Sequence, residues 1–420
     1  MMLTDLYLPL MGGLEVYVQN LGVELAARGH QVSVVTLWHE GTAEQETDRG
    51  VRIYRIRGAA QRLRGLYSDG GRRFSPPLPD PEATLALRKV IAAERPEVVH
   101  GHNWLTYSFL PLKAWSGARL VVSLHDFGLS CALRTRFAGE SPCDGPALTK
   151  CLSCAAGHYG AARGVPTALA NWVMGGLERR MVDMFLPVSQ AVADGSGLTG
   201  SAVPHRVIHN FLPGGRADHA QDLRPYLDQL PPDGFLLFVG ALNRSKGVRP
   251  LLDAYAQMTG VPPLVLIGTR WPDTPTRYPE NVVVLHDWPH AAVLEAWRRS
   301  SMGLVPSVWP EPFGLVSLEA MVAGRPVIGS RIGGITDIVA DGETGLLVTP
   351  GDPVELRAAI ARLLADAPLR ERMGAAGRGR VELFRADRIL PQIEHVYAEV
   401  AGSYVQTPPR HAFPARRRSS

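Results

Sequence analysis

What constrains this chain most is a repeated alternation of short apolar runs with stretches of helical period. Residues 31–37, 97–102, 119–124, 185–188, 206–210, 235–240, 264–267, 282–285, 303–305, 327–328 and 346–348 read as strands, each too short for a core helix. Amphipathic segments at 14–28, 81–93, 166–184, 314–323, 353–365 and 369–384 lie between them. Strands that are apolar on both faces must be covered by helices on both sides, which specifies an α/β fold with parallel sheets. A chain of 420 residues holds two such units, each with its own core. The Pro-, Gly- and Asp-rich stretch 213–234 divides them, giving a first domain at 1–212 that opens on a short, truncated strand at 1–8, and a second at 235–385. A last helix at 386–405 is expected to pack back toward the first domain, and 406–420 is a basic, disordered tail.

Composition removes several classes of function. A formal charge of +4, with 45% hydrophobic and 20% charged residues, describes an ordinary globular protein without a nucleic-acid partner. No apolar run reaches the roughly 18 residues needed to cross a bilayer, and no signal-like start is present. A cytoplasmic enzyme is expected, at most peripheral to a membrane. Eight arginines stand against the single acid Asp69 between Arg49 and Arg73. That stretch is either a solvated edge or a patch for an anionic acceptor or lipid surface.

The chemistry gathers where strands should end. In parallel sheets the carboxyl ends of strands line the ligand crevice, which places His102, His125 and Asp126 there. Gly12 and Gly13 occupy a strand-to-helix turn where backbone amides can approach an anionic or hydroxylated ligand. Arg244 and Lys246 fall in the corresponding turn of the second half, a favourable place for phosphate. The stretch from Glu311 to Gly334 is the most unusual. Gly314 opens a helix after Pro312, and Glu319 sits about 40° from Leu315 on the helical wheel, bordering the packed face. A carboxylate there needs a partner, either an arginine or the hydroxyls of a ligand, with Glu311 accepting others from the preceding loop.

All four cysteines, Cys131, Cys143, Cys151 and Cys154, lie in one window. Cys151 and Cys154 have metal-ligand spacing, and the other two would complete a closed, structural zinc site. Four unligated thiols are the alternative, and two disulfides do not suit a reducing compartment.

Glu311 and Glu319, with Arg331-Ile-Gly-Gly334 and Asp341-Gly-Glu-Thr-Gly345, closely resemble the donor domain of glycosyltransferase family 4. Gly12-Gly13, Ala27-Arg-Gly-His30, Val98-Val-His-Gly-His102 and Leu124-His-Asp126 extend the resemblance to about residues 1–400, and the cysteine insertion at about 127–160 is similar to one in a subset of that family. The resemblance implies the GT-B architecture, two Rossmann-like doubly wound parallel-sheet domains facing a central cleft, acceptor side first. It implies transfer from a nucleotide-diphosphate sugar, a UDP-sugar foremost, to a glycan, lipid-linked or small-molecule acceptor, with retention of configuration and no catalytic metal or cofactor. By the same resemblance Glu319 would bind ribose and Glu311 the sugar. Phe313, Gly314, Leu315 and Val316 would line the diphosphate site, Lys246 and Arg244 would neutralise it, His125 would contact the transferred sugar, and Gly12 and Gly13 would lie against phosphate or acceptor. His125, Lys246 and Glu311 are thus the expected catalytic set. Ala241 stands where the family carries an arginine, so Arg244 is expected to supply that cation. A nucleotide-sugar epimerase of the same architecture and a non-catalytic sugar-nucleotide-binding subunit are the alternatives.

Overall fold

A computed structural model of the chain describes residues 1–10, 12–62, 74–139, 141–212 and 222–402. Residues 63–73 of the arginine-rich stretch, 213–221 of the expected linker and the tail at 406–420 lie outside the described residues.

The elements of the first half begin with β1 (Met2–Leu3), α1 (Gly13–Ala27), β2 (Val32–Leu37), β3 (Gln45–Asp48) and β4 (Val51–Ile56). Next come α2 (Pro81–Glu94), β5 (Val98–Gly101), α3 (Lys113–Ser116) and β6 (Arg119–Leu124). A small hairpin, β7 (Phe137–Ala138) with β8 (Ser141–Pro142), and the helices α4 (Leu148–Tyr159) and α5 (Ala161–Met181) precede β9 (Met184–Pro187) and α6 (Gln190–Gly195). The main strands form one sheet in the order β3-β4-β2-β1-β5-β6-β9. All its pairings are parallel except β3 with β4. Every residue of β2 is buried, Ser33 and Thr36 included, as expected of a strand covered on both faces. The chain builds outward from β1 to β4, then restarts at β5 and builds the other way, so the winding reverses between β1 and β5.

The second half contains α7 (Arg224–Leu227), β10 (Leu236–Val239), α8 (Val248–Tyr255), β11 (Leu264–Ile267), β12 (Val282–Leu285), α9 (His290–Arg299) and β13 (Met302–Val305). It continues with α10 (Leu315–Val322), β14 (Val327–Ser330), α11 (Ile335–Ile338), β15 (Gly345–Val348), α12 (Pro353–Ala365), α13 (Ala367–Val381) and α14 (Ala386–Ala401). Its sheet is wholly parallel, β12-β11-β10-β13-β14-β15, with the reversal between β10 and β13. Asp-Pro pairs start two of the helices: the Asp80 carboxylate accepts from the Glu82 and Ala83 amides, and Asp352 from those of Val354 and Glu355.

The helix α14 packs on the first domain. Ile389, Leu390, Ile393 and Val396 share one buried cluster with Val18 and Leu21 of α1, and Arg28 Nη2 lies 2.7 Å from Glu394 Oε2.

Two expected elements differ. Residues 206–210 run beside β9, with Arg206 N donating to Phe185 O at 2.9 Å and Ile208 N to Pro187 O at 3.1 Å, without becoming a regular strand. Pro187 has no N–H to return a bond, which interrupts the ladder. The helix expected at 166–184 instead spans Ala161–Met181, with Pro166 inside it. A proline suits a first turn, which is why the sequence pointed to a later start.

Candidate active site

Parallel sheets place ligands outside the carboxyl ends of their strands, where the winding reverses. Both reversal points open on one cavity of about 290 Å³. The first half lines it with Gly13, Leu14, Tyr17, His125 and Asn210, and the second with Phe238, Val239, Gly240, Lys246, Val305, Ser307 and residues 311–316. A larger hollow of about 660 Å³ lies among Gln31, Pro96 and Glu97, at the amino ends of β2 and β5. The strand-end rule favours the cleft cavity despite its smaller size.

Lys246 owes its position to a glycine. Gly247 has φ +74°, and a Cβ there would fall 1.8 Å from Pro306 O. The loop after β10 therefore lies directly on the end of β13, where Asn243 Oδ1 accepts from the Lys246 amide at 3.1 Å. Lys246 Nζ consequently reaches Glu311 Oε1 at 2.5 Å. Glu311 is buried, 6% exposed, and accepts a second bond from Ser307 Oγ at 2.7 Å. Its backbone is seated by the Gly333-Gly334 pair. Gly334 N donates to Glu311 O at 2.7 Å, and a Cβ on Gly334 would lie 2.6 Å from the Cα of Phe313.

The helix α10 starts at Gly314 with no side chain capping its first turn. First-turn amides have no intrahelical acceptor, and the helix dipole adds positive potential there. That end of α10 faces the cavity beside Lys246. Phe313 lines the cavity and also anchors it. Its ring lies 5.6 Å from His209 and 5.9 Å from Phe384, joining the two halves.

Across the cleft, His125 Nε2 lies 3.0 Å from His102 Nδ1, and Tyr17 meets the His125 ring edge-on at 4.9 Å. Burial lowers the His125 pKa to about 4, with the nearby Arg134 acting in the same direction and Asp126 opposing. His102 and His100 are also held well below the usual histidine value, chiefly by burial, with His125 acting on both and His100 on His102. His125 is thus a neutral imidazole at the cavity wall. His102 stands behind it, 2% exposed. Asp126 is taken up locally, by Arg134 Nη2 at 2.6 Å and the Gly128 amide at 2.7 Å.

The structure brings together Gly13, His125, Lys246, Glu311, Phe313, Gly314, Leu315 and Val316. Gly12 stands just outside as the extended N-cap of α1. Glu319 lies one turn further along α10 and does not line the cavity. Its carboxylate is bonded to His290 Nε2 at 2.9 Å and Trp297 Nε1 at 3.3 Å, so its protein partners are these rather than an arginine. Arg244 lines a different cavity, between α8 and the loop carrying Asp273 and Tyr278. Three lining residues carried no sequence signal of their own: Tyr17, Asn210 and Ser307. Asn210 Oδ1 is buried without a partner among the described residues. Strand-end logic applied to residues 206–210, as it was to His125, would have found it.

The four cysteines are free thiols, and no group of three or more His, Cys, Asp or Glu side chains among the described residues is arranged to hold a metal ion. Cys151 and Cys154 lie one turn apart on α4. No described helix is long and apolar enough to cross a membrane.

Comparison with known proteins agrees with this fold. Residues 11–213 match the Glycosyltransferase Family 4 model, and residues 226–380 match Glycosyl transferases group 1. A glycogen synthase from Mycobacterium tuberculosis is 26% identical, covering 97% of each chain. The solved sucrose-phosphate synthase of Thermosynechococcus elongatus has a TM-score of 0.67 at 23% identity, covering 96% of this chain and 99% of that one. Anabaena HepE, solved in complex with UDP-glucose, has a TM-score of 0.63 at 19% identity, covering 96% and 99%. With two parallel-sheet domains flanking a cleft, the chain is a GT-B-fold glycosyltransferase related to the family 4 enzymes that use nucleotide-sugar donors.

Proposed function

We propose that the enzyme moves a hexosyl group from a UDP-sugar to a hydroxyl of a glycan, lipid-linked or small-molecule acceptor, with retention of configuration and without a catalytic metal. The observation that carries this reading is the Lys246–Glu311 pair beside the uncapped start of α10. A diphosphate seated there meets backbone amides, a helix dipole and an ammonium group, so charge on the leaving group is stabilised by groups already in place. As Lys246 turns to the phosphate, Glu311 is released to accept sugar hydroxyls. Glu319, one turn along, supplies a carboxylate for the ribose, exchanging its bond to the exposed His290 for ligand hydroxyls.

Among the residues lining the cavity, Glu311 is the lone carboxylate, and Lys246 and Ser307 already hold it. That favours attack of the acceptor on the same face the phosphate leaves, the departing phosphate oxygen taking the acceptor proton, over a covalent enzyme intermediate. Neutral His125 contacts the sugar from the opposite wall. The name of the UDP-glucose-bound neighbour supports uridine as the base and glucose as the first sugar to test.

Proton NMR of UDP-glucose with the enzyme, in chelator and with a panel of glycan, polyprenyl and inositol-type acceptors, tests the reading. An α-linked product formed only with acceptor is expected. Conversion of donor alone to its epimer, a β-linked product, or a rate restored only by magnesium would contradict it.

A further inference from the structure

The helix α5 carries a face that neither its domain nor the cleft explains. At about 100° per residue, Ala162, Pro166, Leu169, Val173, Leu177 and Arg180 fall on one stripe of this helix. Leu169, Trp172, Val173 and Leu177 on or beside it are 44%, 46%, 66% and 38% exposed. An exposed apolar stripe bearing a tryptophan is a feature of interaction surfaces, and soluble helices otherwise turn such residues inward.

The charges around the stripe identify its partner. Between residues 145 and 182 the chain has one acid, Glu178, against Lys150, Arg163, Arg179 and Arg180. Glu178 is buried and accepts from the Tyr107 hydroxyl at 2.9 Å. Arg179 points inward, donating to Ser196 O at 2.7 Å and to Gly175 O at 3.1 Å. Arg163 and Arg180 remain exposed at opposite ends of the helix. The face is thus apolar along its length, with Arg180 on the stripe at one end and Arg163 flanking it at the other, and free of exposed acids. A second copy of the chain suits it poorly. A two-fold contact of this helix with itself would bring the cationic ends together with no acid between them.

We propose that this face of α5 docks on an anionic lipid bilayer. Leu169, Trp172, Val173 and Leu177 would enter the boundary between headgroups and acyl chains, and Arg163 and Arg180 would pair with lipid phosphates. A cavity of about 290 Å³ opens to one side of the stripe, where Trp172 borders it, lined by Leu129, Ala132 and Ala168 but also by Asn171 and Arg179. The site is distinct from the cleft, and it makes no use of the donor reading.

Co-sedimentation of the full-length protein with vesicles tests the proposal, comparing phosphatidylcholine alone with a phosphatidylcholine–phosphatidylglycerol mixture. The wild type is expected to partition onto the mixed vesicles and to be released by salt. R163S/R180S should weaken that partition about 30-fold, at roughly tenfold for each 1.4 kcal/mol and about 1 kcal/mol per basic residue. L169S/W172S/V173S should abolish it. Both variants should keep the wild-type unfolding temperature and donor turnover, because neither touches the core or the cleft. Equal partition of the wild type onto both kinds of vesicle, or undiminished binding by the triple variant, would overturn the proposal. So would a wild-type dimer that ignores vesicles and becomes monomeric in the triple variant.

Discussion

Lys246 Nζ lies 2.5 Å from Glu311 Oε1, and the ammonium group stands 5.2 Å from the centre of the Trp309 ring. The two charges come from loops after β10 and β13, the strands between which the second sheet reverses. A buried carboxylate in a cleft needs a counter-charge while the donor is absent. The pair supplies one, and on the proposed reading it separates into two ligand contacts when a sugar nucleotide arrives.

Lys246→Ala is therefore expected to lower donor affinity and kcat together, with kcat/KM falling by about 10²–10³ because the lost charge matters most in the transition state. Steady-state kinetics against donor concentration measures this. Arg244→Ala should lose less than a tenth as much, since Arg244 lines another cavity. Equal losses would show that Arg244 swings into the cleft to serve in place of Ala241.

The His125 imidazole, lowered to about 4 chiefly by burial, stays neutral through the usual assay range. If neutral His125 contacts the sugar, the acid limb of kcat/KM should fall near pH 4 rather than at the ordinary histidine value of about 6.5. A limb at 6.5 that disappears in His125→Asn would contradict this. His102→Leu should lower kcat by about tenfold through loss of the bond that orients His125, and His102→Asn, which keeps a polar group near Nδ1, should restore most of it.

Stability should respond to pH through Glu178. Burial raises its pKa to about 7, against the opposing effects of the Tyr107 bond and Arg179. Between the unfolded value near 4.5 and 7, the native state holds the proton that the unfolded chain releases. Glu178 thus costs nothing below about pH 4.5 and costs stability progressively as pH rises through 7. Glu178→Gln should match the wild type near pH 4.5 and exceed it at pH 8 by up to about 3 kcal/mol. Thermal unfolding at both pH values checks the sign.

Gly247→Ala should cost at least about 2 kcal/mol and remove activity as well, because it combines a left-handed backbone with a clash against Pro306 O. An alanine variant with wild-type unfolding temperature and kinetics would mean the loop is not held as described.

Much of this was legible in the sequence for physical reasons that can be named. A strand such as residues 264–267 is buried throughout, so it had to be apolar and short. The carboxyl ends of the strands had to point at the cleft, which placed His125 and Lys246. Glu311 stood out because a carboxylate before a glycine-led helix start is unusual. What sequence could not give were distances across the fold. Glu319 and His290 are 29 residues apart, and Lys246 and Glu311 are 65 apart, so their pairing depends on two loops folding onto one another. Tyr17, Asn210 and Ser307 carry common side chains whose role comes only from where they sit. The helix α5 shows the other side of the problem: its sequence reads as amphipathic, and only the packed structure shows that Leu169, Val173 and Leu177 face solvent.

Donor turnover by the wild type and by Glu311→Ala, side by side in chelator with UDP-glucose and a competent acceptor, tests the central claim most directly. The account predicts acceptor-dependent release of UDP by the wild type and a loss of about 10²–10³ in the variant, with its unfolding temperature little changed. Equal turnover by the two proteins would contradict it.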